Sequence, residues 1–201
     1  MSVVMITGGV RSGKSAAAES LASRRGAPVV VVAVAGWEGD EEMRRRVDAH
    51  IRRRPAEWST LTVGADPAWV AGVASDSVLL LDCLATLIGA IVHGEIGDAA
   101  LAPEGAEDRC EARALAIVDA LVSRDGDTVI VSNEAGWGVV PEFASGRVFR
   151  DVLARANRAL SERADGSWLA VAGHLIDLKA LPVEVPWPSL SPGKISTPTK
   201  G

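Results

Sequence analysis

The stretch Met5-Ile6-Thr7-Gly8-Gly9-Val10-Arg11-Ser12-Gly13-Lys14-Ser15 decides the fold. From Gly8 to Ser15 it matches G-x-x-x-x-G-K-[ST], the phosphate-loop pattern. A Val- and Ile-rich run precedes it and an Ala-rich run of helical character follows, which is the strand-loop-helix setting the pattern needs. Gly8, Gly9 and Gly13 let the backbone turn its N–H groups toward an anion, with Val10, Arg11 and Ser12 between them, and the start of the next helix adds a favourable dipole. Lys14 can then reach the β- and γ-phosphates of ATP or GTP, and Ser15 can coordinate Mg²⁺. Lys14 is the only lysine before Lys179 in a chain that otherwise takes its positive charge from arginine. A compact ammonium threaded between phosphates is a task a planar guanidinium does not fill.

Working outward, short Val-, Ile- and Leu-rich runs alternate with longer segments of helical period. Strands are predicted at 2–7, 28–35, 77–82, 127–132 and 167–172, with a further edge strand within 174–181; helices are predicted at 14–25, 40–54, 67–74, 83–93, 106–124 and 141–164. Pro141 is expected in the first turn of the last helix. The strand runs are continuously apolar rather than alternating, so they should be buried on both sides. The expected class is α/β and P-loop NTPase-like, a mostly parallel central sheet with helices on both faces. Residues 1–181 read as a single P-loop domain, while 182–201, with five prolines among Ser, Thr, Gly and Lys, form a tail unable to build a core.

The 201 residues, 48% hydrophobic, suit one core, and the net charge of -5 without a dense basic patch argues against a nucleic-acid partner. Cys83 and Cys110 lie in no C-x-x-C pair, so neither a disulfide framework nor a zinc site is expected, and a reducing cytoplasm fits. No apolar run reaches the roughly 18 residues of a membrane span, and the first residues show no basic, apolar leader pattern. The expectation is a soluble, cytoplasmic protein.

Two further places carry chemistry. The run Ser77–Asp82 ends a buried strand in a carboxylate, so Asp82 can join Ser15 in holding Mg²⁺; the alternative is a strand-end Asp that caps the next helix. Residues 40–58 begin acidic, continue as a basic helix holding Arg44-Arg45-Arg46, His50 and Arg52-Arg53-Arg54, and stop at Pro55. A neutral imidazole is a good nucleophile toward phosphorus, and flanking arginines would neutralise phosphate charge during transfer. By itself, though, one histidine on a charged helix is more often just a solvated residue. His93 and His174 read as structural. On these residues alone, a P-loop small-molecule kinase without nucleotidyl transfer and a GTP-binding regulatory module both remain open.

Four segments in order narrow the choice: TGGVRSGKS at 7–15; Glu42-Met43 followed by His50 and Pro55-Ala56-x-Trp58; LLLDC at 79–83; and SNEAGWGVVPE at 132–142. Together they resemble the bifunctional adenosylcobinamide kinase/adenosylcobinamide-phosphate guanylyltransferase family of cobalamin biosynthesis, over about residues 2–180. The resemblance implies a transferase that phosphorylates adenosylcobinamide with ATP or GTP and then passes GMP from GTP, through covalently guanylylated His50, to give adenosyl-GDP-cobinamide. It implies that Gly8 to Ser15 contact the phosphates, and that Val34, Ala35, Gly36, Ile51, Arg52, Arg53, Arg54 and Asp82 help bind the nucleotide. Lys14 would serve both transfers. A corrinoid substrate and a homotrimer follow from the same likeness. Two departures stand out: Asp82 occupies a place where the family more often has Glu, and Thr62 a place where an acidic residue is expected. Asn133, Glu134, Gly136 and Gly138 are expected either to line the site or to shape the turn.

Overall fold

The computed structural model of the chain describes residues 1–34, 54–97 and 99–183. Among these residues seven strands form one sheet: β1 (Val3–Gly8), β2 (Val29–Val34), β3 (Ser59–Val63), β4 (Val78–Asp82), β5 (Thr128–Val131), β6 (Gly166–Val171) and β7 (His174–Asp177). Their spatial order is β3-β2-β4-β5-β1-β6-β7. Every pairing is parallel except β6 with β7, a hairpin that turns at Gly173 with φ +84°. Among the described residues, four α-helices accompany them: α1 (Lys14–Ser23), α2 (Leu84–Ile96), α3 (Ala106–Ser123) and α4 (Ala144–Arg163).

The apolar strands are buried from both sides because each sends alternate side chains into two separate cores. On β4, Leu80 joins Ile6, Val31, Val129 and Val131 against Ala18 and Ala22 of α1. Its neighbours Leu79 and Leu81 face the larger core, with Met5, Val32, Ile130 and the buried stripes of α2 to α4. On α2 that stripe is Leu84, Leu87, Ile88 and Ile91, all fully buried, at the i, i+3, i+4, i+7 spacing of one helix face. Small side chains on α1 let that helix lie close to β1, β4 and β5, so the loop leading into it sits directly over the strand ends.

Several expectations need correction. The predicted helix at 67–74 is a 3-10 helix, Pro67–Gly72, started by Asp66, whose carboxylate accepts from Ala68 N–H at 2.9 Å, and ended by extended Val73. Helix α4 begins at Ala144 rather than Pro141: Phe143 is its extended N-cap and Pro141 lies outside it. Helix α2 runs on to Ile96, three residues past its predicted end, because Ile96 is itself buried in the core. Strand β3 was not expected at all. It is an edge strand, mostly exposed, and its polar Ser-Thr-Leu-Thr-Val lacks the continuous apolar run of the central strands. His93, in the last turn of α2, and His174, which opens β7, are both exposed. The predicted helix at 40–54 falls, save Arg54, outside the described residues, as does the tail from 184 onward.

Candidate active site

The phosphate loop leaves β1 at Gly8, enters α1 at Lys14, and is shaped by two glycines that no other residue replaces. Gly8 has φ +153°, and a Cβ there would stand 2.5 Å from the Ala170 carbonyl oxygen of β6. Gly13, φ +98°, is the left-handed N-cap of α1. The loop is braced from the hairpin side, where Gly173 N–H donates to the Ser12 carbonyl at 2.9 Å, and from within, where Ser12 N–H donates to Gly9 O at 3.3 Å. Ser12 is buried, while Gly9, Val10 and Arg11 are exposed at the rim.

Lys14 is half-buried, and its ammonium donates to the Gly9 carbonyl at 3.0 Å, across the loop. Burial pulls its pKa below the ordinary lysine value, and the negative charge that Cys83 and Asp82 can carry acts in the opposite direction. A phosphate would do the same as those two groups on a larger scale. Next to it, Ser15 Oγ donates to Asp82 Oδ1 at 3.2 Å, so the first turn of α1 and the end of β4 meet. These are two hard oxygen donors side by side. Mg²⁺ characteristically takes one or two such protein oxygens and completes its shell with phosphate and water, so the pair fits the ion the sequence implies. Helix α2 has Cys83 as its N-cap, without a side-chain capping bond. Asp82 is thus not the N-cap of that helix, and Ser15 of the phosphate loop is among its partners.

Cys83 itself is a feature the sequence reading passed over. Its thiol lies 3.1 Å from Thr86 Oγ1, and burial pushes its pKa up, which keeps it a neutral thiol rather than a nucleophile. Asn133 reaches it from the loop after β5, with Nδ2 at 4.0 Å from Sγ. Glu134 is tied to the strand that feeds the phosphate loop: its carboxylate accepts from Thr7 Oγ1 at 2.7 Å and its N–H donates to Gly8 O at 3.3 Å. Of the two roles open to Glu134, the geometry therefore displays the turn-shaping one.

Asn157, also unforeseen, closes that arrangement. It accepts from Ser132 Oγ at 2.6 Å and donates to Asn133 O at 2.9 Å. The signal for it was present, since an amide stands in the buried stripe Val152, Leu153, Ala156, Leu160 of α4.

The remaining expected residues divide. Val34 ends β2 beside Val63. Arg54 packs on α1, its Nε 3.7 Å from Glu19 Oε1, with both side chains largely buried. Thr62 is exposed on the edge strand opposite Ala33. Ala35, Gly36, His50, Ile51, Arg52 and Arg53 lie outside the described residues. Gly136 and Gly138 sit in a loop whose Trp137, Val139, Val140 and Phe143 are all more than 60% exposed, as is Val10.

The family model described as cobinamide kinase/cobinamide phosphate guanyltransferase matches residues 4–178. The chain is 34% identical to the bifunctional adenosylcobalamin biosynthesis protein CobU of Salmonella typhimurium over 182 residues, 88% of this chain and 99% of that one. It is 34% identical to the bifunctional adenosylcobalamin biosynthesis protein CobP of Pseudomonas aeruginosa, over 89% of this chain and 98% of that one. In shape it resembles a prototypical ATPase from the type III secretion system of pathogenic bacteria, with a TM-score of 0.54 at 14% identity over 84% of this chain and 50% of that chain. That likeness speaks for the P-loop NTPase-like fold alone. A strand-braced phosphate loop, a serine-aspartate pair beside it and a match running almost end to end place this chain in the cobinamide kinase/cobinamide phosphate guanyltransferase family, a family of transferases.

Proposed function

We propose that the protein carries out both transfers of its family at one phosphate loop: phosphorylation of adenosylcobinamide by ATP or GTP, then transfer of GMP from GTP through His50. The observation that carries the reading is the convergence of Lys14, Ser15 and Asp82 on the mouth of the Gly8–Ser15 loop. In the kinase step the hydroxyl oxygen of the corrinoid's aminopropanol arm attacks the γ-phosphorus. The bond to the nucleoside diphosphate breaks, and the hydroxyl proton passes to solvent. Lys14 and the loop N–H groups stabilise the charge on the transferring group.

In the second step a ring nitrogen of His50 attacks the α-phosphorus of GTP and pyrophosphate leaves, giving a P–N bond to GMP. A phosphate oxygen of cobinamide phosphate then attacks the same phosphorus, and the P–N bond breaks. Ser15 and Asp82 would hold Mg²⁺, which when bound neutralises charge on the phosphate oxygens. Val34, Ala35, Gly36 and Ile51 to Arg54 complete the nucleotide site. Residues 1–181 act as one P-loop unit. The exposed apolar loop around Trp137 supports a corrinoid face or a subunit contact, and with it the homotrimer the resemblance implies. A reducing cytoplasm suits the two free cysteines.

Incubation with α-labelled GTP and Mg²⁺ tests the relay. The expected result is a label on protein that is labile to acid and stable to alkali, absent in His50→Ala. A label persisting in that variant overturns the assignment. Transfer of γ-label alone to the corrinoid identifies a kinase without nucleotidyl transfer instead.

A further inference from the structure

We propose that Asn157 is a positioning residue for phosphoryl transfer, holding the loop after β5 so that the Asn133 amide keeps a fixed place between the phosphate loop and Asp82. Asn157 lies mid-helix in α4 on its buried face and is 7% exposed. An amide buried there costs a few kcal/mol unless it is hydrogen-bonded, where an apolar residue would cost nothing. Among the described residues, its side-chain bonds go to three consecutive residues after β5. Its Oδ1 accepts from Ser132 Oγ at 2.6 Å, and its Nδ2 donates to Asn133 O at 2.9 Å and to Glu134 Oε1 at 3.5 Å.

Glu134 carries the grip onward. The same Oε1 accepts from Thr7 Oγ1 at 2.7 Å, and Glu134 N–H bonds Gly8 O. One side chain on α4 thus fastens the β5 loop to the first glycine of the phosphate loop. Strand β5 lies between β4, which ends in Asp82, and β1, which feeds the loop. Asn133 therefore stands at the centre of the site, and the partner its amide finds is a weakly accepting sulfur at 4.0 Å. A phosphate oxygen is the better acceptor, so the amide is placed to move onto one. Its reach is set by the backbone that Asn157 holds.

The inference rests on the proposed transferase activity, and wild type is measured beside every variant. Asn157→Ala should lower kcat for phosphoryl transfer by about 10- to 100-fold, the cost of a misplaced group, while GTP Kd stays within about 3-fold because Lys14, Ser15 and the hairpin-side brace from Gly173 to Ser12 keep their places. Asn157→Asp supplies a readout that loss of packing would not move. Its carboxyl faces the Asn133 carbonyl and the Glu134 carboxylate, with Arg158 the other charged group lining the same cleft, among the described residues. Ionised, it repels both oxygens; protonated, it donates as the amide does. The kcat of that variant should therefore recover as pH falls from 8 toward 6, relative to wild type, while Asn157→Ala tracks wild type across the range. Should the alanine variant not fold, the pH profile of Asn157→Asp decides alone. An active wild type matched in kcat by Asn157→Ala, or no acid recovery in Asn157→Asp, overturns the inference. A wild type that binds GTP and transfers nothing overturns the functional reading beneath it.

Discussion

The two ends of the sheet use the same kinds of residue to opposite effect. At the end where the parallel strands start, charges close on one another. Asp127 accepts from Ser2 N–H at 2.8 Å and from Arg25 Nε at 2.7 Å, and the terminal ammonium lies 3.7 Å away. Arg124, 5% exposed, donates to the carbonyls of Ala74, Ser77 and Asp127. At the end where the strands finish, Lys14 leans on a backbone carbonyl, Asp82 meets a hydroxyl, and the rim is apolar and exposed. Arg124 and Asp127 turn their bonds inward on the chain and contribute to folding, whereas Lys14 and Ser15 stand half-buried at the mouth of the phosphate loop, where a ligand can reach them. Mutations at the two ends should therefore separate activity from stability.

The sharpest way to break that separation is at Lys14. Lys14→Ala should lower kcat/KM for both transfers by about 10³-fold or more, as removal of a principal charge stabiliser does. Its melting temperature should stay close to wild type, because the burial that disfavours the lysine's charge outweighs the attraction of Asp82. Lys14→Arg should fail nearly as badly. Steady-state kinetics beside differential scanning calorimetry read both quantities, and a large drop in stability would show that Lys14 is structural. Asp82→Asn comes next, at about 10²-fold in kcat, with a raised Mg²⁺ requirement as its signature. An unchanged Mg²⁺ dependence would remove Asp82 from the metal-holding pair.

Arg124→Met tests the opposite end. It strips donors from three carbonyls, and the expected loss is about 2 kcal/mol, or roughly 4–8 °C for a chain of this size. The activity per folded molecule should be unchanged. Burial holds the Arg124 pKa below the usual arginine range, which is a cost to folding that the methionine removes. That compensation keeps the expected loss modest despite three bonds. Guanidinium unfolding measured with kcat separates the outcomes: a stable but inactive variant would mean the two ends are coupled.

What the sequence made legible follows the same division. The central strands were visible because burial on both faces demands unbroken apolar runs such as Val78-Leu79-Leu80-Leu81. Strand β3 was not, because an edge strand with exposed Ser59, Thr60 and Thr62 owes its place to pairing with β2, and no burial pattern announces it. At the site, Gly8 to Ser15 and Asp82 were readable as local motifs. The Thr7, Glu134 and Asn157 grip was not, because its members come from three elements and each alone looks like an ordinary polar residue. His50, the proposed nucleophile, was reached through resemblance, since one imidazole among arginines in the sequence has no local signature.

The smallest expected effect is at Asp127, and its pH dependence carries the comparison furthest. The hydrogen bond from Arg25, then that from Ser2 N–H and the nearby positive charges, hold its pKa below the ordinary carboxylate value. A carboxyl whose pKa is lower in the folded chain stabilises it wherever the unfolded form is also ionised, above about pH 4. That contribution is lost as pH falls through the folded value. Asp127→Asn should therefore melt slightly below wild type at pH 7, by a few degrees at most, because Arg25 is exposed and water screens the pair. The gap should narrow below pH 4 and close in stronger acid, and added salt should shrink it at pH 7. Melting curves from pH 7 to pH 2.5 test this. A gap that persists undiminished in acid would mean that Asp127 acts through geometry, as a hydrogen-bond acceptor for the Ser2 backbone, and that this end of the sheet is held by hydrogen bonds rather than by matched charge.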